Sequence, residues 1–232
     1  MKKVKSLVFN TFIVEGEDGV DMSQSTVDSL ISTPYTEELG YGFSQIMLEE
    51  NVLTAVLLKR TPTFIQDYDD NIKELTRKQI NLFSSVKFTI DFVNNLITVQ
   101  GGSTQMNVIK SVFRSVLNFN YQSDPIIFNA TSFYERLYEK GISTKIQQIT
   151  VKGFIYNNGM VGRYSGEVIS QSVGAEIIKL YNSNIVKISF KIDLPDNDFL
   201  ILQVFPNGSI KFLTEESEFE YYLQYVKTLI FD

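Results

Sequence analysis

Four carboxylates crowd one short segment, QDYDDNIKE: Asp67, Asp69, Asp70 and Glu74. Hard oxygen ligands at such spacing are what a calcium loop supplies, and the opening fits. The match then fails, because the sharp-turn position that needs glycine holds Ile72 and the position that needs a bidentate glutamate holds Lys78. A solvated loop between strands is the better expectation.

PDNDFLILQVF, residues 195–205, offers Asp196 and Asp198 in a turn before a strand, the arrangement from which a metal-dependent nuclease is built. Such a site also needs a carboxylate and a lysine on the strand, where this chain has Gln203 and Phe205. With those parts missing, metal-assisted hydrolysis is not expected, and no metal site is predicted.

QGGSTQ, residues 100–105, sets Gly101 and Gly102 between a strand and a helix, with Ser103 and Thr104 at the helix start. Free N–H groups there can hold a phosphate or carboxylate. No Gly-Lys-Ser/Thr follows, so this is not a nucleotide phosphate loop. The corresponding place later in the chain holds Thr214, Glu215, Glu216 and Ser217, with Ser217 and Glu220 in a capping-box pattern. A hinge that accepts either two glycines or two glutamates has helix initiation as its shared role. Anion binding at 101–104 is a secondary expectation.

The remaining constellation is basic and aromatic. Residues 136–163 hold Arg136, Lys140, Lys145, Lys152 and Arg163 against Glu139 alone, in a chain whose ends are acidic and whose net charge is −6. Within it, Lys152-Gly153-Phe154-Ile155-Tyr156 has the basic-Gly-aromatic-x-aromatic order of a strand that stacks RNA bases, and Tyr164 follows beyond Asn158-Gly159. The same alternation also buries aromatics in a core, and Asn-Gly is a strong hairpin signal. Arg136, Lys140, Lys145, Lys152, Phe154, Tyr156, Arg163 and Tyr164 are therefore the candidate contacts if nucleic acid is bound.

Composition narrows the chemistry further. The chain has no Cys and no His, so thiolate and imidazole catalysis are excluded, and zinc would have only carboxylates to hold it. The lysines before the first apolar run lead into Asn10, Glu15, Glu17 and Asp18 rather than a cleavage site, which reads as a first strand. No apolar stretch reaches membrane-spanning length. A cytoplasmic protein without a cofactor is the expectation.

The elements that position these residues follow from periodicity. Residues 88–117 and 200–230 each read as strand, tight turn, strand, polar hinge and amphipathic helix, with turns at Asn94-Asn95 and Pro206-Asn207-Gly208. Laid over each other, Ile97 falls on Ile210, Val99 on Phe212, Met106 on Phe219, Ile109 on Tyr222 and Val112 on Tyr225. Two strands are predicted in 42–68, two more in 145–169 and one in 185–194, with short helices over 25–31, 132–140 and 172–181. The expected fold is α+β in two related halves, 1–122 and 123–232, sharing an interface or merged into one domain. Each half is a mainly antiparallel sheet ending in a β-hairpin-helix unit. Functionally, these observations point to a non-catalytic interaction or regulatory protein that docks on a protein partner, an assembly or a copy of itself. Nucleic-acid binding by the basic, aromatic middle is the alternative, and a carboxylate- or metal-dependent hydrolase is least favoured.

Overall fold

A computed structural model describes residues 3–15, 21–71, 73–118, 120–156, 160–194 and 198–231. In chain order these form β1 (Lys3–Thr11), β2 (Ile13–Val14), α1 (Met22–Ile31), β3 (Tyr41–Glu49), β4 (Val52–Asp69), β5 (Glu74–Asp91), β6 (Leu96–Gln100), α2 (Ser103–Val116), β7 (Tyr121–Gln122), α3 (Ala130–Glu139), β8 (Thr144–Tyr156), β9 (Met160–Glu167), α4 (Gln171–Leu180), β10 (Ile185–Asp193), β11 (Phe199–Phe205), β12 (Ser209–Thr214) and α5 (Phe219–Phe231). The chain is α+β, with antiparallel sheet in both of its compact units, Asn10–Asp124 and Met1–Phe9 with Pro125–Asp232.

In the unit Asn10–Asp124, β3, β4, β5 and β6 pair in that order as an antiparallel meander. Alternation puts Leu53, Ala55 and Leu57 of β4 opposite Ile90, Phe88 and Val86 of β5, and all six are buried. Helix α2 lays Met106, Ile109, Phe113 and Val116 into the same core, the stripe that helical spacing predicts. Phe113 sits at its centre, with ring centroids 5.4 Å from Phe88, 6.0 Å from Phe12 and 6.1 Å from Phe43. The contacts with Phe88 and Phe12 are edge-on, a packing that contributes beyond area burial. The turn at Phe92–Asn95 is held by Asp91, whose carboxylate accepts from the N–H groups of Val93 and Asn94, and Asn95 takes a left-handed φ of 50°.

In the other unit, the strand order is β1-β12-β11-β10-β8-β9, antiparallel throughout. Its three helices meet one face. Phe133 of α3 packs on Phe190, Gly174 of α4 lies against Ile146, and Phe219 of α5 stacks on Phe212. Phe190, Ile146 and Phe212 share that face by register. The strand β8 is irregular, shifting register near Gln147 and again at Lys152-Gly153, where Gly153 has φ +70°. At the first shift Gln171 substitutes for a neighbouring strand: its side-chain amide accepts from the Ile146 N–H at 2.7 Å and donates to the Ile146 carbonyl at 3.0 Å. That pairing satisfies backbone groups that would otherwise be orphaned where β9 ends.

Both hairpin-helix units therefore exist as elements, β5-β6-α2 and β11-β12-α5. The acidic segment differs from expectation. Asp67 and Asp69 lie in β4 and Glu74 in β5, which leaves Asp70, Asn71 and Lys73 as the described turn residues between them. Eighteen-residue strands carry the β4–β5 hairpin far past its neighbours.

The turn between β11 and β12 supplies a stability test. Gly208 has φ +78°, and a Cβ there would lie 2.6 Å from the Ile126 carbonyl oxygen and 2.8 Å from that of Phe9. Gly208→Ala is expected to lower unfolding free energy by about 2–4 kcal/mol, from left-handed backbone plus overpacking. Gly162→Ala, whose Cβ would meet nothing within 4 Å, should stay within about 0.5 kcal/mol of the parent in the same denaturant titration.

Candidate interaction surfaces

A run of exposed apolar side chains lies on the β4–β5 hairpin. Strand β3 accompanies β4 only as far as Lys59, and β6 accompanies β5 only over Phe88–Asp91. Between Arg60 and Phe83 the chain is a two-stranded ribbon, an arm of about ten residues per strand and so roughly 30 Å long. One face carries the pairs Arg60–Phe83, Pro62–Asn81, Phe64–Gln79, Gln66–Arg77 and Tyr68–Leu75. The other carries Thr61–Leu82, Thr63–Ile80, Ile65–Lys78 and Asp67–Thr76. Phe64, Tyr68, Leu75, Leu82 and Phe83 are each more than half exposed. Being already partly covered, each forgoes on the order of 1–2 kcal/mol that full burial would contribute.

Local contacts hold the arm together. The Arg77 guanidinium lies 4.2 Å from the Phe64 ring centroid, and Lys78 pairs with Asp67 at 3.3 Å. At such exposure each contributes no more than about 1 kcal/mol. The base is better fixed: Arg60 donates from its backbone to the Gly40 carbonyl at 2.7 Å and from its guanidinium to the Glu37 carbonyl at 2.6 Å, while Tyr35 meets the Phe83 ring edge-on. The sequence gives little sign of this element. TPTFIQDYD and ELTRKQINLF have no clean alternation, because a ribbon wet on both faces imposes none.

The basic and aromatic candidates are dispersed over several elements. Arg136 and Lys140, on α3 and its C-terminal end, donate to the Ile230 and Thr228 carbonyls in the last turn of α5, Lys140 at 3.2 Å. That turn has unpaired carbonyls and the negative end of the helix dipole, so cations complete it. Lys152 is exposed at the bulge of β8, and Arg163 is exposed on β9. Phe154 and Tyr164 stack on each other at 4.9 Å, with Tyr181 at 5.7 Å from Phe154. Tyr156 ends β8, its side chain outside the described residues together with the Asn158-Gly159 turn. Lys145 joins a different surface, the face of the sheet opposite the helices. There Lys145 pairs with Lys191, and Ser189 with Gln148 and Gln203. Lys187 donates to Gln148, Lys191 lies over the Phe199 ring, and Lys211 over that of Phe205. An open concavity of about 610 Å³ on this face is lined by Lys145, Gln148, Glu167, Gln171, Lys191 and Gln203 among others.

The glycine hinge is occupied by its own helix. Gly101 takes φ +139°, Gly102 caps α2, and the Gln105 side chain accepts the Gly102 N–H at 2.9 Å. Ser103 and Thr104 begin the helix. Of the acidic candidates, Asp198 accepts from the Tyr222 hydroxyl at 3.0 Å and from the Phe199 N–H, while Asp196 lies outside the described residues. Among the described residues, no three carboxylates gather as a metal would require.

Tyr222 gives this region a pH signature. Burial first, and then the Asp198 carboxylate it donates to, push its phenol up to about 12. An unfolded tyrosine ionises near 10, so the folded state keeps a proton that the unfolded chain releases, and stability falls as pH rises from about 10 towards 12. The stability advantage over Tyr222→Phe, read by urea titration, should be full at about pH 9 and shrink across that window; a constant gap would refute the assignment. No family model matches the chain, and no curated protein matches it.

Proposed function

We propose that this chain is a non-catalytic interaction protein that docks on a protein partner through the β4–β5 arm, in a reducing cytosol. The observation that carries the reading is the cluster of Phe64, Tyr68, Leu75 and Phe83 held exposed on a two-stranded ribbon. A soluble monomer rarely presents such a patch without use for it. Aromatic side chains flanked by arginine are also the usual anchors of protein interfaces. A two-stranded ribbon is itself marginal in water, so a partner that covers one face or extends its edge also orders it.

We further read the two hairpin-helix units as related by duplication. In support, β3-β4-β5-β6-α2 and β8-β10-β11-β12-α5 have the same adjacent antiparallel order followed by a helix. On that reading the arm is an elaboration of the first unit, because β10 and β11 are joined by a short connection where β4 and β5 run on.

A second reading, nucleic-acid binding, is favoured by the lysines of the open sheet face more than by the β8–β9 hairpin. Lys145, Lys187, Lys191 and Lys211 share that face with Phe199 and Phe205, a combination that tracks phosphate while offering rings to bases. Phe154 and Tyr164 already stack on each other.

Affinity capture from host extract, with and without nuclease, separates the readings. The triple variant Phe64→Ser, Leu75→Ser, Phe83→Ser is expected to lose a nuclease-resistant partner while its melting temperature stays near the parent's, because the arm lies outside the core. Capture unchanged in that variant would sink the arm reading. Loss of binding to a single-stranded oligonucleotide in Lys145→Glu, Lys191→Glu would favour nucleic acid.

A further inference from the structure

We infer that the occupant of the arm is the arm of a second copy of this chain, paired edge to edge through β5 about a two-fold axis at Gln79. This rests on the reading of the arm as a docking element and names its partner.

The two edges of the ribbon differ. The Arg60 N–H reaches outward from β4 to the Gly40 carbonyl. In an antiparallel strand outward groups recur at every second residue, so the next outward donor on β4 belongs to position 62. That residue is Pro62, which has no N–H. The β4 edge is therefore interrupted without damage to the β4–β5 ladder, the standard protection against strand addition. Because Arg60 stands opposite Phe83, the outward groups of β5 are those of Phe83, Asn81, Gln79, Arg77 and Leu75. No proline interrupts them, and among the described residues no strand pairs with that edge between Glu74 and Lys87.

The β5 edge is complementary to itself in one register. A two-fold axis perpendicular to the ribbon keeps like faces together, so residues of equal parity pair. Centred on Lys78, it would oppose two ammonium groups, which is destabilising. Centred on Ile80, it sets Arg77 against Phe83 and Lys78 against Leu82. Centred on Gln79, it sets Leu75 against Phe83 of the second copy, Arg77 against Asn81 and Gln79 against Gln79, with every outward group meeting an outward group. On the other face Glu74 then falls in a row with Ser84 and Lys59 of the second copy, so the acidic tip of one arm meets the basic base of the other. The product is a four-stranded antiparallel sheet in place of two marginal ribbons, joined over 74–84 by roughly ten backbone hydrogen bonds. Since little apolar area is buried at a strand edge, the dimer is concentration-dependent.

The absence of cysteine makes the axis testable in the full chain. Gln79→Cys places two thiols across the axis at cross-strand distance, within reach of a short bis-maleimide, each arm of which adds one thiol. It should cross-link to dimer at least about tenfold faster than Thr61→Cys on the protected edge, as a pre-paired thiol does over a diffusional encounter. Gln79→Pro, which removes an outward donor and no hydrogen bond of the β4–β5 ladder, should shift the chain from dimer to monomer in sedimentation equilibrium while its melting temperature stays near the parent's. A parent chain that sediments as monomer at every concentration, or equal cross-linking of the two cysteine variants, overturns the inference. If arm-dependent capture of another protein survives that outcome, the arm remains a docking element with a different occupant; if capture is also indifferent to the arm, both readings fall.

Discussion

The register of β4 on β5 is the constraint on which the rest of the first unit depends. Eighteen consecutive pairs run from Val52–Asp91 to Asp69–Glu74 without a bulge. At one end the core fixes their parity, because Leu53, Ala55 and Leu57 must face inward with Ile90, Phe88 and Val86 to meet Phe113 and its neighbours. A slip of one residue would turn that whole set to solvent. Since nothing interrupts the ladder, the parity chosen in the core propagates outward and decides which arm residues share a face. Phe64, Tyr68, Leu75 and Phe83 come together for a reason that lies several turns of the pleat away.

Strand β8 shows the opposite case. Its two register shifts, near Gln147 and at Lys152-Gly153, break the link between sequence alternation and facing. Phe154 and Tyr164 reach one another across the second shift. The first opens a place in the ladder that Gln171 closes with its amide. A residue from the following helix thus completes a sheet edge, an interaction that no period in the sequence reveals.

What was legible in the sequence was whatever packing imposes as a period. The α2 stripe, the α5 stripe and the strand at 185–193 all face a core on one side, so their apolar residues recur at helical or strand spacing. The turns at Asn94-Asn95 and Gly208 were legible because left-handed backbone restricts residue choice. The arm was legible in its β4 half, where a strand was expected up to 68, but not in β5 over 74–87, since an element wet on both faces is selected by no core. The basic window does not fold into one surface: Arg136, Lys140, Lys145, Lys152 and Arg163 are near in sequence, but a helix, a bulged strand and its partner send them to separate surfaces. Two of them serve the end of α5, a use visible only once α3 and α5 are packed together.

The division of labour between core and arm has an energetic logic. Stability resides in the buried sets around Phe113 and around Phe190 and Phe212, which the arm does not enter. The arm is tied to its unit by the Arg60 hydrogen bonds, the Tyr35–Phe83 contact and the ladder itself. Side chains beyond that base are therefore free to vary with the needs of recognition at small cost to folding. The same freedom carries a hazard, because an apolar ribbon with an open edge will pair with whatever edge it meets. Pro62 interrupts the edge on one side, and on the other Lys78 opposes its own charge in the register centred on it. On the proposed self-pairing, disfavouring the wrong registers of an adhesive edge turns a source of aggregation into a source of specificity.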